Sequence, residues 1–213
     1  MKAISTIKQI YNNGQLLPIY ETAYTLQGEG YHAGKPTFLI RIAGCDIGCP
    51  WCDTKSAWKP YPHQLTSVID LAEKAAAFPA KSLLVTGGEP LNYNLEPLTS
   101  EMKHRNVKTY LETTGTQPLS GDWDWICVSP KPFKKSLPQV VKAANELKII
   151  IYSDSDFLLA QEYANLIDTE KTLLFLQPEW SRKQTMLPKI IDFIKQNPQW
   201  RLSLQIHKYL GIV

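Results

Sequence analysis

Residues 37–52 read TFLIRIAGCDIGCPWC. The first part, Thr37–Ile42, is a short apolar run interrupted by a single arginine. A run of this length and kind marks a strand buried on both faces, as in a parallel sheet. The second part cannot continue it, because Gly44, Asp46, Gly48 and Pro50 break any strand or helix period. The reading is a strand that empties into a loop carrying three cysteines. Similar runs recur downstream at Ser82–Thr86, Val107–Glu112, Trp125–Ser129, Leu147–Tyr152, Leu173–Gln177 and Arg201–Gln205. Helical patterns fall between them, at Ser67–Phe78 with Thr66 or Ser67 as cap, Leu95–Arg105, Pro138–Asn145, Asp156–Ile167 and Met186–Gln196. This strand–helix rhythm predicts a parallel sheet with covering helices. A closed eight-stranded barrel needs more chain than 213 residues supply. The expected fold is therefore α/β, an incomplete, open parallel β/α barrel of about six strands, with residues 1–213 forming one domain.

Composition narrows the function classes. Apolar residues make up 44% and charged residues 20%, ordinary for a folded chain that can bury a core without a metal staple. The net charge of +3 is too mild to argue for nucleic acid, and the short basic patch at residues 131–135 reads as a solvated loop at Lys134 and Lys135. No segment has the unbroken apolar length of a membrane span, and the start lacks an apolar signal core. Of four cysteines, three lie within eight residues, unlike a secreted scaffold that spreads them to staple loops. The expected location is the cytoplasm.

The chemistry-bearing residues follow the strands. In parallel α/β folds, sites form at the carboxyl ends of strands. Here those positions hold Cys45, Cys49 and Cys52, then Gly87-Gly88-Glu89-Pro90, then Glu112-Thr113-Thr114-Gly115, then Ser129-Pro130-Lys131. The C-x3-C-x2-C spacing lets one compact loop bend at Gly44 and Gly48 and wrap three thiolates around one centre. On a [4Fe–4S] cluster three thiolates leave one iron open to a ligand. A zinc site is the rival reading. It wants a fourth ligand, for which His63 is the nearest candidate and Cys127 a distant one. Cys127 sits in the apolar run Trp125-Ile-Cys-Val and reads as a core residue. In GGEP, two glycines allow close backbone approach and carbonyls can accept from an ammonium; the plain alternative is a glycine turn before a helix. Lys131 either meets a carboxylate or sits in solvent.

The cysteine spacing followed about 35 residues later by GGEP resembles the radical S-adenosylmethionine superfamily. Its more specific likeness is to the 7-carboxy-7-deazaguanine synthases, carried by LQGEG at 26–30, the cysteine run, CDT at 52–54, GGEP, ETTGT at 112–116, SPK at 129–131 and HKYLG at 207–211. This resemblance implies a lyase of the radical SAM fold. Such an enzyme contracts the ring of 6-carboxy-5,6,7,8-tetrahydropterin to 7-carboxy-7-deazaguanine, with release of ammonia, in 7-deazapurine (queuosine precursor) biosynthesis. The implied cofactors are a [4Fe–4S] cluster, S-adenosyl-L-methionine and Mg2+.

Residue by residue, the resemblance assigns the cluster to Cys45, Cys49 and Cys52 and the magnesium to Thr54, with Asp53 beside it as an alternative ligand. Cofactor contacts fall on Gly88, Glu89, Ser129, Pro130, Lys131, Gln177, Pro178, Glu179 and Trp180. Substrate contacts fall on Leu26, Gln27, Gly28, Arg41, Thr86 and the terminal Val213. Arg41 would pair with the substrate carboxylate, where a planar fork suits a two-pronged contact. Val213 and Trp180 depart from the family pattern, which favours a terminal proline and a smaller or acidic residue. The implied partners are a second copy of the chain, as a homodimer, and a flavodoxin- or ferredoxin-type reductant. A glycyl-radical-activating enzyme shares the cysteine spacing but not the LQGEG and HKYLG segments, and a non-catalytic iron–sulfur or zinc protein needs only the cysteines.

Overall fold

The computed structural model describes residues 13–61 and 64–212, so that His63 and Val213 lie outside the described residues. The chain divides into two compact units. Within the described residues, one comprises 13–25, 36–61, 64–112 and 117–124, and the other 26–35, 113–116 and 125–212.

The first unit carries strands β1 (Leu16–Leu26), β2 (Pro36–Ile42), β3 (Gln64–Ser67), β4 (Ser82–Gly87) and β5 (Lys108–Thr113), in the sheet order β3-β1-β2-β4-β5. Strands β2, β4 and β5 are parallel, with Arg41 opposite Thr86 and Val85 opposite Leu111. β3 runs antiparallel to β1, with Leu16 opposite Ser67. Helix α1 (Val68–Ala77) starts where Ser67 Oγ accepts from the Asp70 N–H at 3.0 Å. It buries Val68, Leu71, Ala72 and Ala75, one face at helical spacing. Phe78, just past its end, stacks on Phe38 of β2 and on Tyr24 of β1. Side chains alternate along a strand. Phe38, Ile40 and Ile42 therefore share the face toward Phe78, and Leu39 and Arg41 occupy the opposite face. Helix α2 (Glu96–His104) adds Leu98 and Met102 to the core.

The second unit holds β6 (Trp125–Val128), β7 (Glu146–Ile151), β8 (Leu173–Pro178) and β9 (Trp200–Leu202), adjacent in that order and all parallel. Its helices are α3 (Pro138–Lys142), α4 (Asp156–Ala164), α5 (Lys183–Gln196) and α6 (Ile206–Leu210). On β7, Leu147, Ile149 and Ile151 are fully buried. So, on the other face, is Lys148, at 1% exposure.

Lys148 Nζ donates to Glu29 Oε2 at 2.5 Å, and Gln205 Nε2 donates to Glu29 Oε1 at 2.9 Å. Burial alone would raise the Glu29 carboxyl. The Lys148 charge, together with hydrogen bonds from Lys148, Gln205 and Gln177, outweighs it and holds the group at about 2. Ser203 Oγ donates to Gln177 Oε1 at 2.7 Å and accepts from the Gly30 N–H at 3.0 Å. Glu146, two residues before Lys148 on the same face, accepts from the Tyr31 N–H at 3.0 Å and from Trp125 Nε1 at 3.3 Å. The loop 26–35 is thus pinned by polar groups set into a sheet.

The seven strands expected from apolar runs all form, within a residue or two except at the last. There, Trp200–Leu202 replaces Arg201–Gln205: the Ser203 N–H still donates to Leu176 O of β8 at 2.9 Å, and its hydroxyl turns to Gln177. β1, β3 and α6 had no counterpart in the sequence reading. β1 mixes polar and apolar residues on both faces beyond Ile19, and β3 is four residues long and exists through its pairing with β1. No helix among the described residues is long and apolar enough to cross a membrane.

Breaking a buried ion pair by removing one partner leaves an uncompensated charge. Lys148→Met is expected to lower unfolding free energy by about 3–5 kcal/mol, and Glu29→Gln/Lys148→Met to recover most of it, in urea denaturation. Because the folded Glu29 carboxyl sits near 2 and its ordinary value is 4.5, its contribution is complete above about pH 4.5 and is lost as pH falls toward 2. Lys148→Met should remove that slope.

Candidate active site

The cysteine loop hangs from the end of β2 and is closed by backbone bonds. The Gly44 N–H donates to Ala57 O at 2.7 Å and the Cys45 N–H to Trp58 O at 2.9 Å, so residues 44–58 form a loop with a fixed neck. Gly44 adopts φ +104° and Gly48 φ +72°, a region that favours glycine and lets the chain fold back over a few residues. A side chain at Gly44 would also strike Tyr93, whose hydroxyl donates to Ala43 O at 2.8 Å. None of the three cysteines is in a disulfide; Cys49 is buried and Cys45 and Cys52 are half-buried.

The loop aims donors at sulfur. The Ile47 and Gly48 N–H groups bond Cys45, while Trp58 Nε1 at 3.3 Å and the Thr54 N–H at 3.4 Å point at Cys52 Sγ. Such donors favour a thiolate and tune a bound cluster. Burial nonetheless pushes the Cys45 thiol up, with Glu89 acting in the same direction, so metal binding must displace its proton. Among the described residues, no set of three His, Cys, Asp or Glu side chains converges as a single ion requires. A loop of three thiols outside any disulfide, with N–H donors at two of its sulfurs, fits a cluster, which spreads its ligands over several irons.

The GGEP loop locks onto this neck. The Gly88 N–H donates to Ile42 O at 2.9 Å and the Glu89 N–H to Gly44 O at 2.8 Å. A Cβ at Gly88 would meet the Gly44 carbonyl and Cys45 Cβ. Glu89 is fully buried and its Oε1 accepts from the Leu91 N–H at 3.0 Å, so its carboxylate stabilises the turn from inside. Thr54 Oγ1 does not cap the short helical turn it precedes; it donates to Asp53 Oδ1 at 3.2 Å, pairing two hard oxygen donors. Arg41 and Thr86 face each other in register, each one residue before its strand ends. Arg41 Nε donates to Glu21 Oε1 at 2.5 Å. The first unit thus gathers Arg41, Cys45, Cys49, Cys52, Thr54, Thr86, Gly88 and Glu89 at the ends of two neighbouring strands.

In the second unit, Gly28 is buried against His207, with no room for a Cβ, and its carbonyl accepts from the Ile206 N–H at 2.9 Å. The Gln27 amide oxygen turns back to the Gly28 N–H, while Leu26 is exposed. Ser129 and Pro130 are buried, and Lys131 reaches back to Ser129, donating to its carbonyl at 2.7 Å and its hydroxyl at 2.6 Å. Gln177 points inward to Glu29 and Ser203. Pro178 is buried, and Glu179 caps the turn at Trp180–Arg182. Trp180 carries the Lys183 ammonium 3.3 Å from its ring centre, and Tyr209 packs edge-on against the same ring. Cys127 is buried as expected of a core residue, yet its thiol donates to Glu146 at 3.6 Å.

Sequence reasoning had not singled out Glu21, Trp58, Tyr93, Glu146, Lys148 or Ser203. One signal was available, since Glu146 and Lys148 sit two apart in an otherwise apolar strand, a pattern that puts both charges on one face.

The family model for the radical SAM superfamily matches residues 39–127. The 7-carboxy-7-deazaguanine synthase of Flavobacterium psychrophilum is 46% identical, covering 93% of this chain and 94% of that one. The synthase of Escherichia coli K12 is 33% identical over 92% of this chain and 98% of that one. A crystal structure of QueE from Escherichia coli superposes with a TM-score of 0.82 at 30% identity, covering 92% of this chain and 97% of that chain. The chain belongs to the 7-carboxy-7-deazaguanine synthase family of radical SAM enzymes. Its fold class is the open, incomplete β/α barrel expected from the sequence, with parallel β2, β4 and β5 in the first unit and parallel β6–β9, the short β9 included, in the second.

The contact of the Gly88 backbone with Cys45 yields a sharp expectation. Gly88→Ala must push the GGEP loop off the cysteine neck, because the obstructing atom is a backbone carbonyl. Iron and sulfide per chain after anaerobic reconstitution should fall well below the unmutated protein.

Proposed function

We propose that this chain converts 6-carboxy-5,6,7,8-tetrahydropterin to 7-carboxy-7-deazaguanine with release of ammonia, a step toward 7-deazapurines such as the queuosine precursor. The observation that carries the reading is the register of Arg41 with Thr86, each one position before the end of a strand that leads into the cysteine or GGEP loop. A carboxylate-binding cation and a hydroxyl thus stand beside the loops that hold the radical source.

The chemistry a bound [4Fe–4S] cluster would supply here is electron transfer to S-adenosylmethionine, the source of an adenosyl radical. The chain's own residues bind and orient. Cys45, Cys49 and Cys52 would hold the cluster through their thiolates. Gly88 and Glu89 offer loop backbone to the cofactor amino group, and Ser129, Pro130, Lys131, Gln177, Pro178, Glu179 and Trp180 belong to the loops that line the cofactor. Arg41 takes the substrate carboxylate through a two-pronged contact, Thr86 adds a hydroxyl, and Leu26, Gln27 and Gly28 meet the pterin. Thr54, with Asp53 at its side, supplies hard oxygens to Mg2+, which suits an ion that keeps substrate and water among its ligands. The terminal Val213 is assigned a substrate contact by family likeness. The same reading makes residues 1–213 one radical SAM domain, working as a cytoplasmic homodimer fed by a flavodoxin- or ferredoxin-type reductant.

Anaerobically reconstituted protein with dithionite, S-adenosylmethionine, Mg2+ and the carboxytetrahydropterin should yield 7-carboxy-7-deazaguanine by mass analysis, with no product from Cys49→Ala. Release of 5′-deoxyadenosine without deazaguanine would leave a radical enzyme with a different substrate; neither product would overturn the assignment. Arg41→Lys keeps the charge but loses the fork. It should lower kcat/KM by about 10- to 100-fold, the worth of one charge-assisted hydrogen bond.

A further inference from the structure

Arg41 and Glu21 form a pair that the reaction as described leaves unused. The two side chains are 20% and 32% exposed. They lie on neighbouring strands β2 and β1. Phe38 and Tyr24 both stack on Phe78. Strand alternation therefore turns Arg41 and Glu21, each an odd number of residues away, to the face opposite Phe78. Both belong to the row that continues to Thr86 of β4. The bond is specific: Arg41 uses Nε, and Glu21 accepts with Oε1 at 2.5 Å. Among the described residues the terminal amino groups of Arg41 have no hydrogen-bond partner.

We infer that Glu21 is a positioning residue that fixes the Arg41 guanidinium by its Nε edge and leaves the paired terminal N–H groups to receive the carboxylate of the substrate. This rests on the reading of Arg41 as the carboxylate partner. A partly exposed ion pair adds little to stability, so its effect must be sought elsewhere. An arginine side chain has a large rotamer entropy to lose. Holding it in the binding geometry before the ligand arrives removes part of that cost from the association step. The Glu21 charge also works against the pull of Arg41 on a second carboxylate. The two effects oppose each other, and they are separable: glutamine keeps the acceptor oxygen and removes the charge, whereas alanine removes both.

The test is equilibrium binding of 6-carboxytetrahydropterin to the reconstituted protein, with steady-state kinetics alongside. Glu21→Ala should raise Kd about 10-fold, with the loss falling on KM rather than kcat, while Glu21→Gln stays within about 3-fold. A tetrahydropterin lacking the 6-carboxylate should bind the unmutated chain and Glu21→Ala alike. Glu21→Asp, too short to reach Nε from the same backbone, should behave like alanine, and it serves in place of the alanine variant if that fails to fold. Unchanged or tighter binding by Glu21→Ala and Glu21→Asp would overturn the inference, as would an equal loss for the carboxylate-free pterin. Either result leaves the functional reading standing. No binding of the carboxytetrahydropterin by the unmutated chain would overturn both.

Discussion

An ammonium taken out of water must be paired, and Lys148 is taken out almost completely, at 1% exposure. Its partner, Glu29, does not come from the sheet but from the loop between β1 and β2. The ion pair therefore dictates where that loop goes. Once Glu29 is seated, Gln205 bonds its other oxygen, Ser203 takes the Gly30 N–H, and Glu146 takes the Tyr31 N–H. The neighbouring Gly28 is thereby brought against His207 with no space for a side chain. Replacing such a pair by apolar residues often costs nothing in stability. Here it sets a register instead, fixing a short loop of mostly small and polar residues that otherwise packs through Tyr31, stacked on Trp125.

The cysteine loop solves a related problem by different means. Its buried side chains are few, Ile47, Cys49 and Ala57, and three thiols alone would not order it. Its order comes from backbone bonds at the neck, from Gly44 and Gly48 in left-handed conformations, and from the GGEP loop that borrows the Ile42 and Gly44 carbonyls. Glu89 looks in the sequence like a charge offered to a ligand. In the fold it is buried, and it secures the turn. The GGEP signature therefore joins two tasks: glycine backbone presented outward, and a carboxylate that holds that backbone still. Preorganisation of this kind is what a radical reaction needs, since a mobile pocket would admit water and quench the intermediate.

Much of this was legible in the chain. Strands buried on both faces announce themselves as apolar runs, and all seven were found. The site loops stood out because glycines, cysteines and carboxylates at strand ends have no packing reason to be there. β1 was not legible, because its alternation places Tyr20, Thr22 and Tyr24 on one face and Glu21, Ala23 and Thr25 on the other, and neither face is apolar. α6 was hidden for a similar reason: Ile206–Leu210 has no buried residue and its position follows from the Ile206 bond to Gly28.

The sequence by itself determined the alternation of strands and helices, the cysteine spacing and the order of the strand-end motifs, because each depends on residues close together in the chain. Which charges meet was decided only by the tertiary structure. Glu29 and Lys148 are 119 residues apart, Glu29 and Gln205 are 176 apart, and Glu21 and Arg41 sit on different strands. No local pattern encodes such partners, since a lone charge in a sequence looks the same whether it will face water or a buried counter-ion. The fold chooses between these outcomes by the desolvation cost it imposes.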